Sequence, residues 1–179
     1  MNSTASTIHS LSVVGFSDDG IQIQAGRSNN FILGNYVGIR PDGTTILAND
    51  DDGIDMNGDL NTVGGTGAGE RNVISGNAAY GINFESGADG NIVIGNYIGT
   101  DATGTAARPN ETGIRLRDAT VNTIIGGTTA AERNVISGNT EYGVRIRESG
   151  TDDNTVQGNY IGLDVTGATP LGNGMDGVY

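Results

Sequence analysis

The chain has 179 residues, enough for one domain or at most two. Its 21 acidic and 9 basic residues leave a formal net charge of −12; such a surface repels phosphate, so nucleic acid is not an expected partner. Cysteine is absent, which excludes a disulfide scaffold and a thiolate metal site, and no apolar run approaches the length of a membrane span. The opening Met-Asn-Ser-Thr-Ala-Ser lacks the basic and apolar regions of a signal peptide. With 31 glycines, composition alone is compatible with disorder, so order must come from where the apolar residues fall.

Taken in chain order, the first apolar stretch runs from Thr7 to Phe16 and carries Ile8, Leu11, Val13 and Val14. A regular pattern then begins. Gly20 leads an apolar-polar-apolar triplet with Ile21 and Ile23, followed by a strand led by Asn30 and a short stretch at Tyr36-Val37. The triplet returns after Gly53 (Ile54, Met56), Gly81 (Ile82, Phe84), Gly113 (Ile114, Leu116) and Gly143 (Val144, Ile146), and in truncated form at Gly177. The Asn-led strand returns at Asn61, Asn91, Asn122 and Asn154, and the short stretch at Val73-Ile74, Tyr97-Ile98, Val135-Ile136 and Tyr160-Ile161. Longer phrases confirm the period. Glu70-Arg71-Asn72-Val73-Ile74-Ser75-Gly76-Asn77 recurs unchanged from Glu132 to Asn139, and Gly95-Asn96-Tyr97-Ile98-Gly99 recurs from Gly158 to Gly162.

Alternation with period two and β-branched content predict strands, and no window carries the 3.6-residue spacing of a helix. A unit of about 30 residues with three short strands cannot bury its own apolar side, but stacked units can. The expectation is therefore an all-β parallel β-helix, a solenoid of about five coils spaced roughly 4.8 Å apart. In this reading residues 1–179 form a single domain. Residues 1–19 are an incomplete N-terminal coil, 20–176 are five coils in alternating long and short units, and 177–179 start a further coil. Recurring asparagines suit turns at which side-chain amides bond along the stack, and the Gly-Asn pairs beginning at 34, 76, 95, 138 and 158 suit bends that need a permissive backbone.

The phrases Asn-Val-Ile-Ser-Gly-Asn and Gly-Asn-Tyr-Ile-Gly-Thr-Asp-Ala-Thr-Gly-Thr resemble repeats of the right-handed parallel β-helix family, the pectin-lyase-like superfamily, as found in large bacterial surface and secreted proteins. The resemblance covers the chain from about Leu11 onward. It implies a right-handed solenoid and an extracellular or cell-surface setting. It does not select an activity, since that superfamily holds lyases, hydrolases, epimerases and adhesins.

Two outward columns beside the triplets carry the strongest surface signal: Gln22, Asp55, Asn83, Arg115, Arg145, and then Gln24, Asn57, Glu85, Arg117, Arg147. Four arginines fall in a two-by-two patch. Their mutual repulsion needs an offset, from Glu85, Asp118 or Glu148, or from an anionic polysaccharide. The site expectation is a ligand contact at Arg115, Arg117, Arg145 and Arg147 with Glu85 and Asp55. The run Asp50-Asp51-Asp52, with Asp55, is a candidate oxygen-ligand set for calcium, although it matches neither the EF-hand nor the nonapeptide calcium pattern. No other cofactor is expected. Asp51-Asp52 also looks like the paired aspartates of the superfamily's hydrolases, and Arg145-Ile146-Arg147 is similar to their Arg-Ile-Lys. Their Gly-His-Gly and Asn-Thr-Asp motifs are missing, and the only histidine is His9. No catalytic residue is assigned.

The expected function is a non-catalytic structural or adhesive repeat segment that contacts anionic glycans. One alternative is a polysaccharide lyase or hydrolase. Another is a module that associates end to end, because the sequence stops at Gly177-Val178-Tyr179 with no capping element.

Overall fold

A computed structural model describes residues 1–179 as strands, turns and loops, with no helix. The glycine-led triplets form Ile21–Ile23, Ile54–Met56, Tyr80–Phe84, Thr112–Leu116 and Val144–Ile146. Each pairs in parallel with its equivalent one coil on, giving a five-stranded sheet C that Val178 extends by a parallel bridge to Val144. A six-stranded sheet A runs from Thr7–His9 to Thr155–Gln157, and a six-stranded sheet B from Ser12–Val13 to Tyr160–Ile161. The chain is a right-handed parallel β-helix of about five coils, each giving one short strand to each sheet. Thr7–His9 and Ser12–Val13 supply the first strands of sheets A and B.

One column of side chains holds this together. Ile54, Ile82, Ile114 and Val144 stand in register on adjacent strands and are fully shielded from water, as are Met56, Phe84 and Leu116 beside them. Sheet A adds Ile32, Val63, Val93 and Ile125, and sheet B adds Val37, Ile74, Ile98 and Ile136, in one continuous cluster. Each such side chain contributes roughly 1.5–3 kcal/mol by leaving water. The invariable glycine before the triplet has a packing cause. A Cβ at Gly53 would lie 2.7 Å from Asn77 Nδ2 and 2.7 Å from the Gly81 carbonyl oxygen, so no larger residue fits.

The corners are asparagine ladders, three of them. At the entry to sheet A, the Asn30 backbone N–H and Nδ2 both donate to Asn61 Oδ1, each at 2.9 Å, and the Asn61 N–H donates to Asn91 Oδ1. At the entry to sheet B the ladder is Asn35, Asn72, Asn96, Asn134, Asn159. Between sheets B and C it is Asn49, Asn77, Asn110, Asn139, Asn173. The Gly-Asn pairs thus serve two different corners. One expectation is corrected: Asn122 is not a ladder residue. Ile92 pairs with Ile124, which puts the buried Thr123 in register with Asn91; Asn122 is exposed at φ 54° and donates to Asp89 instead.

The long-coil insertions fold back over the outer face of sheet B. Antiparallel bridges Ile39–Ile46, Thr100–Ala107 and Leu163–Pro170 close three loops, and these stack through Ala102 N–H to Gly43 O (3.0 Å) and Val165 N–H to Gly104 O (2.9 Å). Beneath them Ile39, Val73, Tyr97 and Val135 form a second small core. An aspartate holds each loop: Asp42, Asp101 and Asp164 each accept bonds from threonines of their own loop.

Candidate functional site

With sheet B covered, the outer face of sheet C is the most polar of the three. Its register places Gln22, Asp55, Asn83, Arg115 and Arg145 side by side up the stack. A groove of about 260 Å³ lies along its first four coils, between an acidic end at Asp19, Asp51 and Asp52 and a basic end at Arg115 and Arg117.

Asp52 and Asp55 are buried although both point to the outside of the barrel wall. Asp52 precedes the glycine of its coil, so it lies at the edge of the sheet under Tyr80 and Asn83 of the next coil. Tyr80 N–H donates to its Oδ1 at 3.0 Å and Asn83 Nδ2 to its Oδ2 at 2.9 Å. Loss of water outweighs these bonds and pushes its pKa up to about 7. Asp55 accepts on Oδ2 from Gln22 (3.0 Å) and Asn57 (2.7 Å), and burial pushes its pKa up to about 6. Its Oδ1 has no donor. Asp19 is also raised, by burial first and then by the charges of Asp18 and Asp51, against a bond from the Asp52 N–H.

The four arginines divide into two pairs. Arg115 is buried. Its Nε donates to Asn83 Oδ1 (3.0 Å), one terminal nitrogen donates to the Tyr80 hydroxyl (2.8 Å), and its guanidinium lies 3.9 Å over the Tyr80 ring. The other terminal nitrogen is 3.7 Å from Glu85, which Arg117 contacts directly through two nitrogens. Arg117 also reaches Asp118 at 3.4 Å. The second pair is less occupied. Arg147 lies 3.2 Å from Glu148, but its buried Nε is not aligned for a hydrogen bond. Arg145 stacks against Tyr142 and Tyr179, 4.6 and 5.6 Å from the ring centres, and forms no ion pair; its buried Nε has no acceptor.

The acidic residues named for calcium do not gather as a single set. The carboxylates that lie within 4.8 Å of one another belong to Asp18, Asp19 and Asp51. Asp50 is exposed, while Asp52 and Asp55 engage neighbouring amides. A calcium ion takes six to eight oxygens, so the three carboxylates, at one oxygen each, would supply at most half. His9 is exposed and stands 2.6 Å from the Ser10 hydroxyl.

Sequence reasoning missed Tyr80, Tyr142 and Tyr179 as partners of the arginines, and it missed Asp19. The available signal was the column just before each glycine, which reads Asp19, Asp52, Tyr80, Thr112, Tyr142, Asp176. Scans of family models, curated proteins and solved structures return no match for this chain.

Proposed function

We propose that this chain is a non-catalytic β-helix repeat segment of an extracellular protein, and that the basic end of sheet C contacts anionic glycans. Arg145 carries the reading. It is a partly buried guanidinium flanked by two tyrosine rings, with no carboxylate partner and with a buried donor lacking an acceptor. A carboxylate or sulfate can pair with its terminal nitrogens, which no acceptor of the chain occupies, and aromatic faces suit the apolar side of a sugar ring. The resemblance to pectin-lyase-like surface and secreted repeats supports both the class and the location. Retention on immobilised polygalacturonate and on a sulfated glycan tests it. Replacing Arg145 and Arg147 by serine removes two charge-assisted contacts and is expected to weaken binding about tenfold or more. Unchanged retention refutes the reading.

A second reading, a polysaccharide-active enzyme, is favoured by one observation: the two buried carboxyls Asp52 and Asp55 lie in one groove, both with raised pKa. Reducing-end and unsaturated-product assays on pectate and alginate test it. Product formation that Asp52→Asn abolishes would replace the non-catalytic reading.

A further inference from the structure

The repeat contains its own template for a cation site. Tyr36, Val73, Tyr97, Val135 and Tyr160 form one outward column of sheet B. Tyr97 is covered by Arg71 of the preceding coil, its guanidinium 4.1 Å from the ring centre and its Nε donating to the Gly95 carbonyl at 3.0 Å. Tyr160 is covered in the same way by Arg133, again at 4.1 Å, with Nε donating to the Gly158 carbonyl at 3.0 Å. Tyr36 is the third copy, and its arginine is missing. The residue in register is Ser10, exposed and at φ 58°. The Gly34 carbonyl, equivalent to those of Gly95 and Gly158, accepts no hydrogen bond from the protein.

The missing side chain leaves a space. The largest cavity of the molecule, about 370 Å³, lies there, lined by Tyr36, Gly34, Ser10, Ser12, Pro41 and Arg71 among others. It offers an aromatic face, an unused carbonyl and two serine hydroxyls, which match the flat, donor-only guanidinium. The positive charge of Arg71 across the cavity is part of the template. Arg133 stands to Tyr97 as Arg71 stands to Tyr36, and Arg71 is nonetheless held over Tyr97.

We propose that the cavity over Tyr36 binds a guanidinium group, supplied by a free guanidinium compound or by an arginine side chain of a partner polypeptide. The site lies at the corner of sheets A and B, away from the groove of sheet C, and stands independently of the glycan reading. The test follows the tyrosine ring resonances by NMR during titration. The probes are methylguanidinium, N-acetylarginine amide and the uncharged N-acetylcitrulline amide. Saturable shifts at Tyr36 with millimolar affinity are expected for the two cations and none for the citrulline compound. Tighter binding of the arginine amide than of methylguanidinium assigns the source to a polypeptide side chain; equal binding assigns it to a free compound. Tyr36→Leu is expected to weaken binding about tenfold, whereas Tyr36→Phe keeps the ring face and holds within about threefold. Arg133→Ala opens the same slot over Tyr160 and is expected to add a second guanidinium site. The proposal is overturned if Tyr36 does not shift with either cation, if the citrulline compound shifts it equally, or if Tyr36→Phe loses as much as Tyr36→Leu. It is overturned also if the slot opened by Arg133→Ala takes guanidinium while Tyr36 does not.

Discussion

Removing one ladder amide should destabilise the solenoid more than removing any single surface contact. Asn96 is fully buried and has five side-chain hydrogen bonds. Its Oδ1 accepts the Asn72 N–H and Nδ2 at 3.2 and 2.9 Å, and its Nδ2 donates to the carbonyls of Val63 (2.8 Å) and Ile94 (2.9 Å) and to Asn134 Oδ1 (3.1 Å). Asn96→Ala leaves the Asn72 N–H without its only acceptor and the Ile94 carbonyl without its only donor. At about 1–3 kcal/mol for each buried orphan, the expected loss is about 3–5 kcal/mol, a large share of ordinary domain stability. The control is Asn122→Gly. Asn122 is exposed, outside the ladder and at positive φ, and the position in register one coil earlier is Gly90 at φ 65°. Its expected change is within about 0.5 kcal/mol. Urea unfolding followed by circular dichroism measures both. Equal losses at the two sites, or a loss below about 1 kcal/mol at Asn96, would refute the ladder as a source of stability.

Four further outcomes follow. Asp52 and Asp55 have folded pKa values above the ordinary 3.8, so the stability they confer is complete below about pH 4 and is lost as pH rises toward 7. Thermal melts should show this decline between pH 4 and 7, and Asp52→Asn should flatten it; a parallel decline in the variant refutes the assignment. The loop aspartates act in the opposite sense. Threonine hydroxyls and amides hold Asp42 and Asp164 below the ordinary range, so their contribution is lost as pH falls below about 4, read as selective loss of amide-exchange protection in the stacked loops. Gly53→Ala forces a Cβ against Asn77 and Gly81 and should cost about 1–3 kcal/mol by the same urea assay, with a neutral result refuting the close-approach argument. Light scattering should find no head-to-tail stacking between copies. The N-terminal coil meets the three ladders at Ser6, Leu11 and Phe16, where no asparagine stands, so none of the amide ladders of Asn154, Asn159 and Asn173 continues across such a joint; concentration-dependent growth in mass would contradict this.

The inward columns were legible because two constraints coincide on them. Alternation puts Ile54 and Met56 on one side of a strand, and the glycine before them marks the start of the strand within a residue. The corners were less legible because asparagine serves two purposes in this chain. It can be buried in a ladder or exposed at positive φ, as Asn91 and Asn122 are, and composition does not distinguish them; the register of Ile92 with Ile124 does. The burial of Asp52 was hidden for a related reason. Asp50-Asp51-Asp52 reads as one solvated acidic run, yet only its last member faces Tyr80 and Asn83 of the next coil. The arginine–tyrosine pairs were hidden because their partners are separated by a whole coil, at 71 and 97 or 80 and 115.

The three faces of the solenoid differ because of what each column allows. Sheet B is closed by stacked loops, and its outward residues are a second core. The outer column of sheet A mixes threonine with apolar residues, Thr7, Phe31, Thr62, Ile92, Ile124 and Thr155, with Phe31 and Ile124 exposed. Sheet C alone changes character along the axis, from Asp19, Asp52 and Asp55 to Arg115, Arg117, Arg145 and Arg147, while its inward residues stay apolar. Packing fixes the inward residues of every coil but places no such demand on the outward ones of sheet C. A gradient of charge confined to those outward positions therefore cannot be a by-product of core packing. That gradient leaves Arg145 against two tyrosine rings with no ion-pair partner, which is why the glycan proposal turns on this residue.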